Sequence, residues 1–148
     1  MKINIAGRTK SFINAFGEEL MVHNADKAIT HASQETGAQV LNYTAAPVYA
    51  GDKSKGRHQW LIEFEKEPAN IDEFAALLDK YLQEDNGDYQ AKRYQDIFLD
   101  APEVIVARRG LFDQWLASTG KLGGQRKIPR LNNNRTAIDQ MLELMRSA

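Results

Sequence analysis

An α+β fold is what the sequence predicts: a small mixed, largely antiparallel β-sheet packed with helices and opened by a β-hairpin. Three observations point there. Gln39–Tyr49 and His58–Phe64 are β-branched and aromatic, and only a polar, glycine-flanked stretch separates them, the pattern of an antiparallel pair. Ile71, Phe74, Leu77, Leu78, Tyr81 and Leu82 recur at helical spacing and mark a strongly amphipathic helix. Strand-like and helical segments are interspersed without a repeating βαβ unit, which favours α+β over a doubly wound sheet.

In chain order, Lys2–Ile5 alternates Ile3 and Ile5 with polar residues and predicts a short strand. Gly7-Arg8-Thr9-Lys10 turns the chain into a second strand, Phe12–Ala15, and Gly17 breaks it. Asn24 can cap a helix running to about Thr36, with Ala25, Ala28, Ile29 and Ala32 on one face and Asp26 in the first turn. Gly37 is its expected stop. Ala50–Arg57 reads as a mobile hairpin loop between the two central strands. In the second of these, Trp60, Ile62 and Phe64 share one face and Leu61 takes the other. Asn70 and Glu73 open the amphipathic helix as a capping box, and Asn86-Gly87-Asp88 breaks it near Glu84. Tyr89–Ile97 is ambiguous, with a short helix as one reading. Pro102 precedes the strand Glu103–Arg108, and Gly110 opens the helix Leu111–Ser118. A last helix over about Arg135–Met145 buries Ile138, Met141, Leu142 and Met145.

At 148 residues the chain is one domain, 1–148, large enough to bury a core without staples. It has no cysteine, which removes disulfides and thiolate chemistry and suits the cytoplasm. No apolar run approaches the ~18 residues of a membrane span. The net charge of −1 gives no general attraction to nucleic acid or anionic lipid. The charge is nonetheless segregated. Glu63 to Asp85 is acid-rich, whereas Lys121, Arg126, Lys127, Arg130 and Arg135 have no acid among them, suggesting a face for an anion or an internal balance.

The chemistry-bearing stretch is Gly120-Lys121-Leu122-Gly123-Gly124-Gln125-Arg126-Lys127-Ile128-Pro129-Arg130. Three glycines in five positions allow close backbone approach to a ligand, and Pro129 keeps Ile128 extended, so the stretch is a loop or short strand. A glycine-rich basic loop suits placing a lysine against a phosphate or a developing oxyanion. A solvated basic loop is the plainer reading. No aromatics interleave the cations, which argues against base stacking and hence RNA. His23, His31 and His58 lie on different elements without metal-ligand spacing, so no metal site is expected. Glu18 and Glu19 are adjacent and point apart, which makes them a poor catalytic pair.

Two stretches carry a family resemblance that covers essentially the whole chain. Gly7-Arg8-Thr9-Lys10 through Phe16-Gly17-Glu18-Glu19-Leu20 resembles the hinge motif opening the C-terminal domain of the adenylate-forming (ANL) superfamily. Gly124-Gln125-Arg126-Lys127-Ile128-Pro129-Arg130 resembles the Gln-x-Lys-x-Pro-Arg segment of the auxin-responsive promoter family of acyl-acid–amido synthetases, its bacterial branch being the nearer match. Tyr89, Arg93, Val104–Arg108, Phe112 and Trp115 fall between them in the family's order.

The resemblance implies a two-step ligase reaction. A carboxylate attacks the α-phosphate of ATP, which carries its Mg²⁺, giving an acyl-adenylate; an amino acid's amine then forms the amide and releases AMP. It implies that Lys127 reaches the reacting phosphate and carboxylate, that Gln125 and Arg130 flank it, and that Arg8 lies on the nucleotide side. Lys10 and Gly17 fall at the hinge. Arg130 could equally hold the loop through an internal acid, and Arg8 could be a structural ion pair. Such enzymes also have a large N-terminal adenylation domain holding the nucleotide and acyl-acid pockets. The present sequence starts at the hinge strand and lacks the adenylating phosphate loop. The expectation is therefore an excised C-terminal domain, or a split gene product, comprising the hinge (1–20) and the catalytic-type loop (120–130), binding no cofactor alone and inactive without its partner domain. The alternative is a stand-alone module that binds an anionic ligand or a protein through Phe12, Phe16 and the 120–130 loop.

Overall fold

The computed structural model describes residues 12–13, 20–50, 52–94, 99–118 and 130–147. In chain order the elements are β1 (Phe12–Ile13), β2 (Leu20–Met21), α1 (Val22–Thr36), β3 (Gln39–Ala50), β4 (Asp52–Lys66), α2 (Ile71–Asp85), α3 (Gly87–Arg93), β5 (Glu103–Ala107), α4 (Leu111–Ser118) and α5 (Thr136–Ser147). β3 and β4 are antiparallel, and β5 lies parallel to β4, in the order β3-β4-β5. The sheet is thus mixed, within an α+β fold.

Side-chain alternation divides the molecule into two cores. Tyr43 pairs with Ile62 and Ala45 with Trp60 across β3 and β4. These side chains and Phe64 pack with the small face of α1 (Ala25, Ala28, Ile29, Ala32) and with Phe74, Leu78 and Leu82 of α2. Leu61 and Ala46 point to the other face and pack with Leu111 and Phe112 of α4 and Ile138 and Met141 of α5. The sheet is therefore buried on both sides, as the split of Trp60, Ile62 and Phe64 from Leu61 predicts. Leu142 and Met145, expected in the core, are only half-buried at its margin.

Helix boundaries follow their caps. Asn70 Oδ1 accepts the Glu73 amide at 3.1 Å, and Asn86 Oδ1 accepts the Tyr89 amide at 2.9 Å. Asn86 therefore both ends α2 and starts α3, which resolves Tyr89–Ile97 as helical up to Arg93. Gly37 closes α1 at φ +77° and Gly110 precedes α4 at φ +88°, a region that side-chain-bearing residues rarely adopt. An Asn70→Ala protein should lose about 1 kcal/mol, lowering Tm by roughly 2–4 °C in a thermal melt.

Three sequence expectations are corrected. α1 starts at Val22, so Asn24 is its third residue and not its cap; its Oδ1 accepts the Met21 amide at 2.9 Å. Asp26 consequently lies past the first turn. The polar stretch expected as a loop is strand, because β4 begins at Asp52 and pairing with β3 runs out to Ala50 opposite Asp52. Polarity there marks a ladder continuing where Tyr49 is exposed, since backbone pairing needs no apolar side chains. At the N-terminus, Phe12 pairs with Met21 and Ile13 with Leu20. The expected partner strand Lys2–Ile5 lies outside the described residues.

Candidate functional site

The candidate site is the base of the glycine-rich stretch. α4 ends at Ser118, and the described chain resumes at Arg130. There it lies against the free edge of β3. The Ala45 amide donates to the Arg130 carbonyl at 2.8 Å, and the Asn132 amide donates to the Ala45 carbonyl at 3.0 Å. Leu131 bridges Ala45 in parallel and is buried in the α1/α2-side core. Asn132 Nδ2 donates to Thr44 Oγ1 at 3.0 Å and to the Ala45 carbonyl at 3.1 Å. A strap of three residues therefore extends the sheet beside β3.

The Arg130 guanidinium meets Asp26 Oδ2 at 3.3 Å, and the Tyr43 hydroxyl donates to Asp26 Oδ1 at 2.6 Å. Burial, then the hydrogen bond and negative charge of Asp26, hold Tyr43 far above the ordinary tyrosine pKa; Arg130 opposes this weakly. The Arg130 side chain thus faces an internal acid, one of the two partners open to it from sequence. Arg135 behaves alike: it pairs with Asp139 at 2.8 Å and donates to Gln59 Oε1 at 2.8 Å and to the Pro47 carbonyl at 3.2 Å. Asp26 reaches Arg130 from α1, 104 positions away, and Asp139 reaches Arg135 from the next turn of α5, so both cations have an internal acid. Arg8, Lys10, Gly17, Gln125 and Lys127 lie outside the described residues, as do Glu18 and Glu19.

A second polar cluster joins Tyr89 and Arg93, noted from sequence only for their order along the chain, to Asp79, an acid not singled out there. Asp79 of α2 receives Arg93 Nε at 2.8 Å and Nη2 at 2.7 Å, together with the Tyr89 hydroxyl at 2.8 Å. Arg93 Nη1 also donates to the Leu99 carbonyl at 3.1 Å. Both charged side chains are 12% exposed. Burial and the adjacent Asp79 push the Tyr89 pKa well up. Tyr89 and Arg93 lie four apart on α3, and the acid that joins them comes from α2, 10 and 14 positions away. A third cluster joins the helix ends: Asn24 Nδ2 donates to Asp85 Oδ2 at 2.7 Å, and Lys27 pairs with Asp85 Oδ1 at 2.9 Å. The Lys27 and Asn24 bonds hold the Asp85 carboxyl below its usual pKa. Glu63, placed by sequence in an acidic run, is buried and accepts the Gly110 amide at 2.7 Å.

Tyr43 and Tyr89 give an alkaline prediction. Their folded pKa values lie above the unfolded value of 10.0, so the protonated form favours the folded state. That stability is complete below about pH 10 and declines as pH rises above it, since the unfolded chain then loses protons that the folded chain keeps. In an ultraviolet titration, these two tyrosines should ionise only together with unfolding. Stepwise ionisation of all five in the folded protein would contradict the burial described.

His31 stacks on Tyr81 with ring centroids 4.7 Å apart, whereas His58 is buried beside Tyr89. His23 joins His31 on α1 because the helix starts earlier than expected, so the three histidines do not occupy three separate elements. Among the described residues no three His, Cys, Asp or Glu side chains are grouped to hold a metal ion. No helix among them is long and apolar enough to cross a membrane.

Comparison with known proteins gives the family. The model of the GH3 family C-terminal domain matches residues 23–136. Among solved structures, the chain is similar to "GH3.15 acyl acid amido synthetase", with a TM-score of 0.71 and 21% identity over 92% of this chain and 25% of that one. It is similar also to "AtGH3.15 acyl acid amido synthetase in complex with 2,4-DB", with a TM-score of 0.72 and 19% identity over 92% of this chain and 26% of that one. At these identities the likeness establishes the fold. The chain spans about a quarter of the length of each of those proteins. No curated protein matches its sequence. The match over most of its length shows that the chain belongs to the GH3 family, as its C-terminal domain.

Proposed function

We propose that the chain is the mobile C-terminal domain of an ATP-dependent acyl-acid–amido synthetase, which adenylates a carboxylic acid and joins it to an amino acid through an amide bond. The observation that carries this reading is the family match over 23–136, with a fold shared across a quarter of an acyl acid amido synthetase. In this reading the cytoplasmic partner is an N-terminal adenylation domain holding the ATP and acyl-acid pockets. The present chain is inactive alone and supplies residues to a site shared with that domain.

Lys127 reaches the reacting phosphate and carboxylate. A preorganised ammonium there offsets charge that develops in the transition state. Gln125 and Arg130 flank it, Arg8 contacts the nucleotide side, and Lys10 and Gly17 absorb backbone rotation at the hinge. The other cations of the stretch, Lys121, Arg126 and Lys127, suit phosphate oxygens, while Mg²⁺ arrives with ATP. The test is AMP release dependent on both an acyl acid and an amino acid, assayed for the chain alone and together with the adenylation domain. Activity only in the combination supports the reading; a chain that binds an anionic ligand or protein unaided and adds nothing to the combination supports the stand-alone module.

A further inference from the structure

We propose that the cleft at the start of β5 is a binding site for a free α-amino acid in its zwitterionic form. The cleft measures about 630 Å³, the size of a small-molecule site. Among the described residues it is lined by Arg57, Arg93, Asp100, Ala101, Pro102 and Glu103.

Its frame is built from buried contacts. Asp79 holds Arg93 through Nε and Nη2 at 2.8 and 2.7 Å, and Arg93 Nη1 donates to the Leu99 carbonyl at 3.1 Å. Leu99 is fully buried and bridges Gly56 in parallel, and the Asp100 amide donates to the Gly56 carbonyl at 2.8 Å. Beyond Pro102 the chain enters β5, where Glu103 pairs with Gln59 of β4. These bonds set α3, β4 and the approach to β5 around one opening.

The charges at the opening are held more loosely. Arg57 of β4 and Glu103 of β5 are both half-exposed, with Arg57 Nη1 and Glu103 Oε1 3.7 Å apart. That is beyond hydrogen-bond length, so the pair adds little to the fold and opens at little cost. Glu103 Oε1 accepts Gln59 Nε2 at 3.1 Å, which keeps the carboxylate at the mouth of the cleft. A ligand that separates the two must offer an anion to Arg57 and a cation to Glu103. A lone anion would leave Glu103 without its counter-charge and would face two carboxylates, Asp100 and Glu103. A lone cation would leave Arg57 without its acid in a cleft that also holds Arg93. An α-amino acid carries both charges one carbon apart and answers both: its carboxylate accepts from the Arg57 guanidinium, and its ammonium donates to Glu103. The small Ala101 and Pro102 supply the uncharged part of the wall. An α-amino acid is also a substrate of the proposed reaction, but the chemistry of the cleft does not depend on that reading.

The test is an NMR titration of the isotopically labelled chain at low salt with glycine, acetate and methylamine as probes. Glycine should shift the Asp100, Ala101 and Glu103 amides and the Arg57 Nε–H to saturation. Acetate and methylamine, each offering one charge, should bind about tenfold more weakly. Arg57→Gln and Glu103→Gln should each weaken glycine by about tenfold and leave the thermal melt unchanged, since both side chains are half-exposed. Acetate binding as tightly as glycine would make the cleft a plain anion patch, and methylamine doing so a plain cation patch; either result overturns the proposal. So does a lack of saturable shifts at these residues, or glycine binding that survives both substitutions. The probe comparison uses the unaltered chain, so it decides between these outcomes even if a variant fails to fold.

Discussion

Replacing Asp79 with alanine is expected to destabilise the fold by about 3–5 kcal/mol, the largest effect of a single polar substitution in the described structure. The side chains of Asp79 and Arg93 are both 12% exposed, and the guanidinium presents two nitrogens to the carboxylate, at 2.8 and 2.7 Å. Removing the acid leaves a largely buried cation without its counter-charge. It also takes the acceptor from the Tyr89 hydroxyl, which is buried in the core. α3 is held to α2 by these bonds, so α3 should detach first. Urea unfolding checks the magnitude. The paired change Asp79→Leu with Arg93→Met should lose less than Asp79→Ala, because apolar groups leave no charge stranded. A loss below about 1 kcal/mol for Asp79→Ala, as for a surface pair, would contradict the burial described.

Replacing Lys127 with alanine is expected to leave the fold intact and to lower the rate of the proposed complete enzyme by about 10²–10³-fold, roughly 3–4 kcal/mol of transition-state stabilisation. The loss should appear in kcat more than in KM, since the ammonium is asked to act on charge absent from the ground state. Arg130→Gln should cost less, since its half-exposed guanidinium faces Asp26. Steady-state kinetics, with separate assays of adenylate and amide formation, distinguish the two. A Lys127→Ala enzyme that kept both half-reactions would remove Lys127 from the chemistry.

Local signals made most elements legible. The β4 alternation was readable because the sheet is covered on both faces, so Trp60, Ile62 and Phe64 separate cleanly from Leu61. Asn70, Gly37 and Gly110 act within one turn of their own positions and were equally plain. Missed features depend on distant partners or on backbone alone. β5 pairs with β4 in parallel, matching Gln59 to Glu103, and nothing local announces that register. Asp52, Gly56 and Arg57 pair with β3 through a backbone ladder that composition does not report.

At the candidate site the basic character of 121–135 was legible, but the fate of its charges was not. Asp26 looked like a helix-dipole residue, and it proves to be the acid for Arg130 and the acceptor for Tyr43. Asp79 stood in the sequence as one acid of the Glu63–Asp85 stretch, and it is the centre of a buried pair. In both cases tertiary packing, and no local spacing, selected the partner.

The most direct measurement of the central claim is AMP formation by the adenylation domain with and without this chain, given an acyl acid, ATP and an amino acid. The proposed function predicts amino-acid-dependent AMP and amide product only when both parts are present, and loss of that activity in Lys127→Ala. Equal amide formation by the adenylation domain alone, or full activity with Lys127→Ala, would contradict the role proposed for this domain.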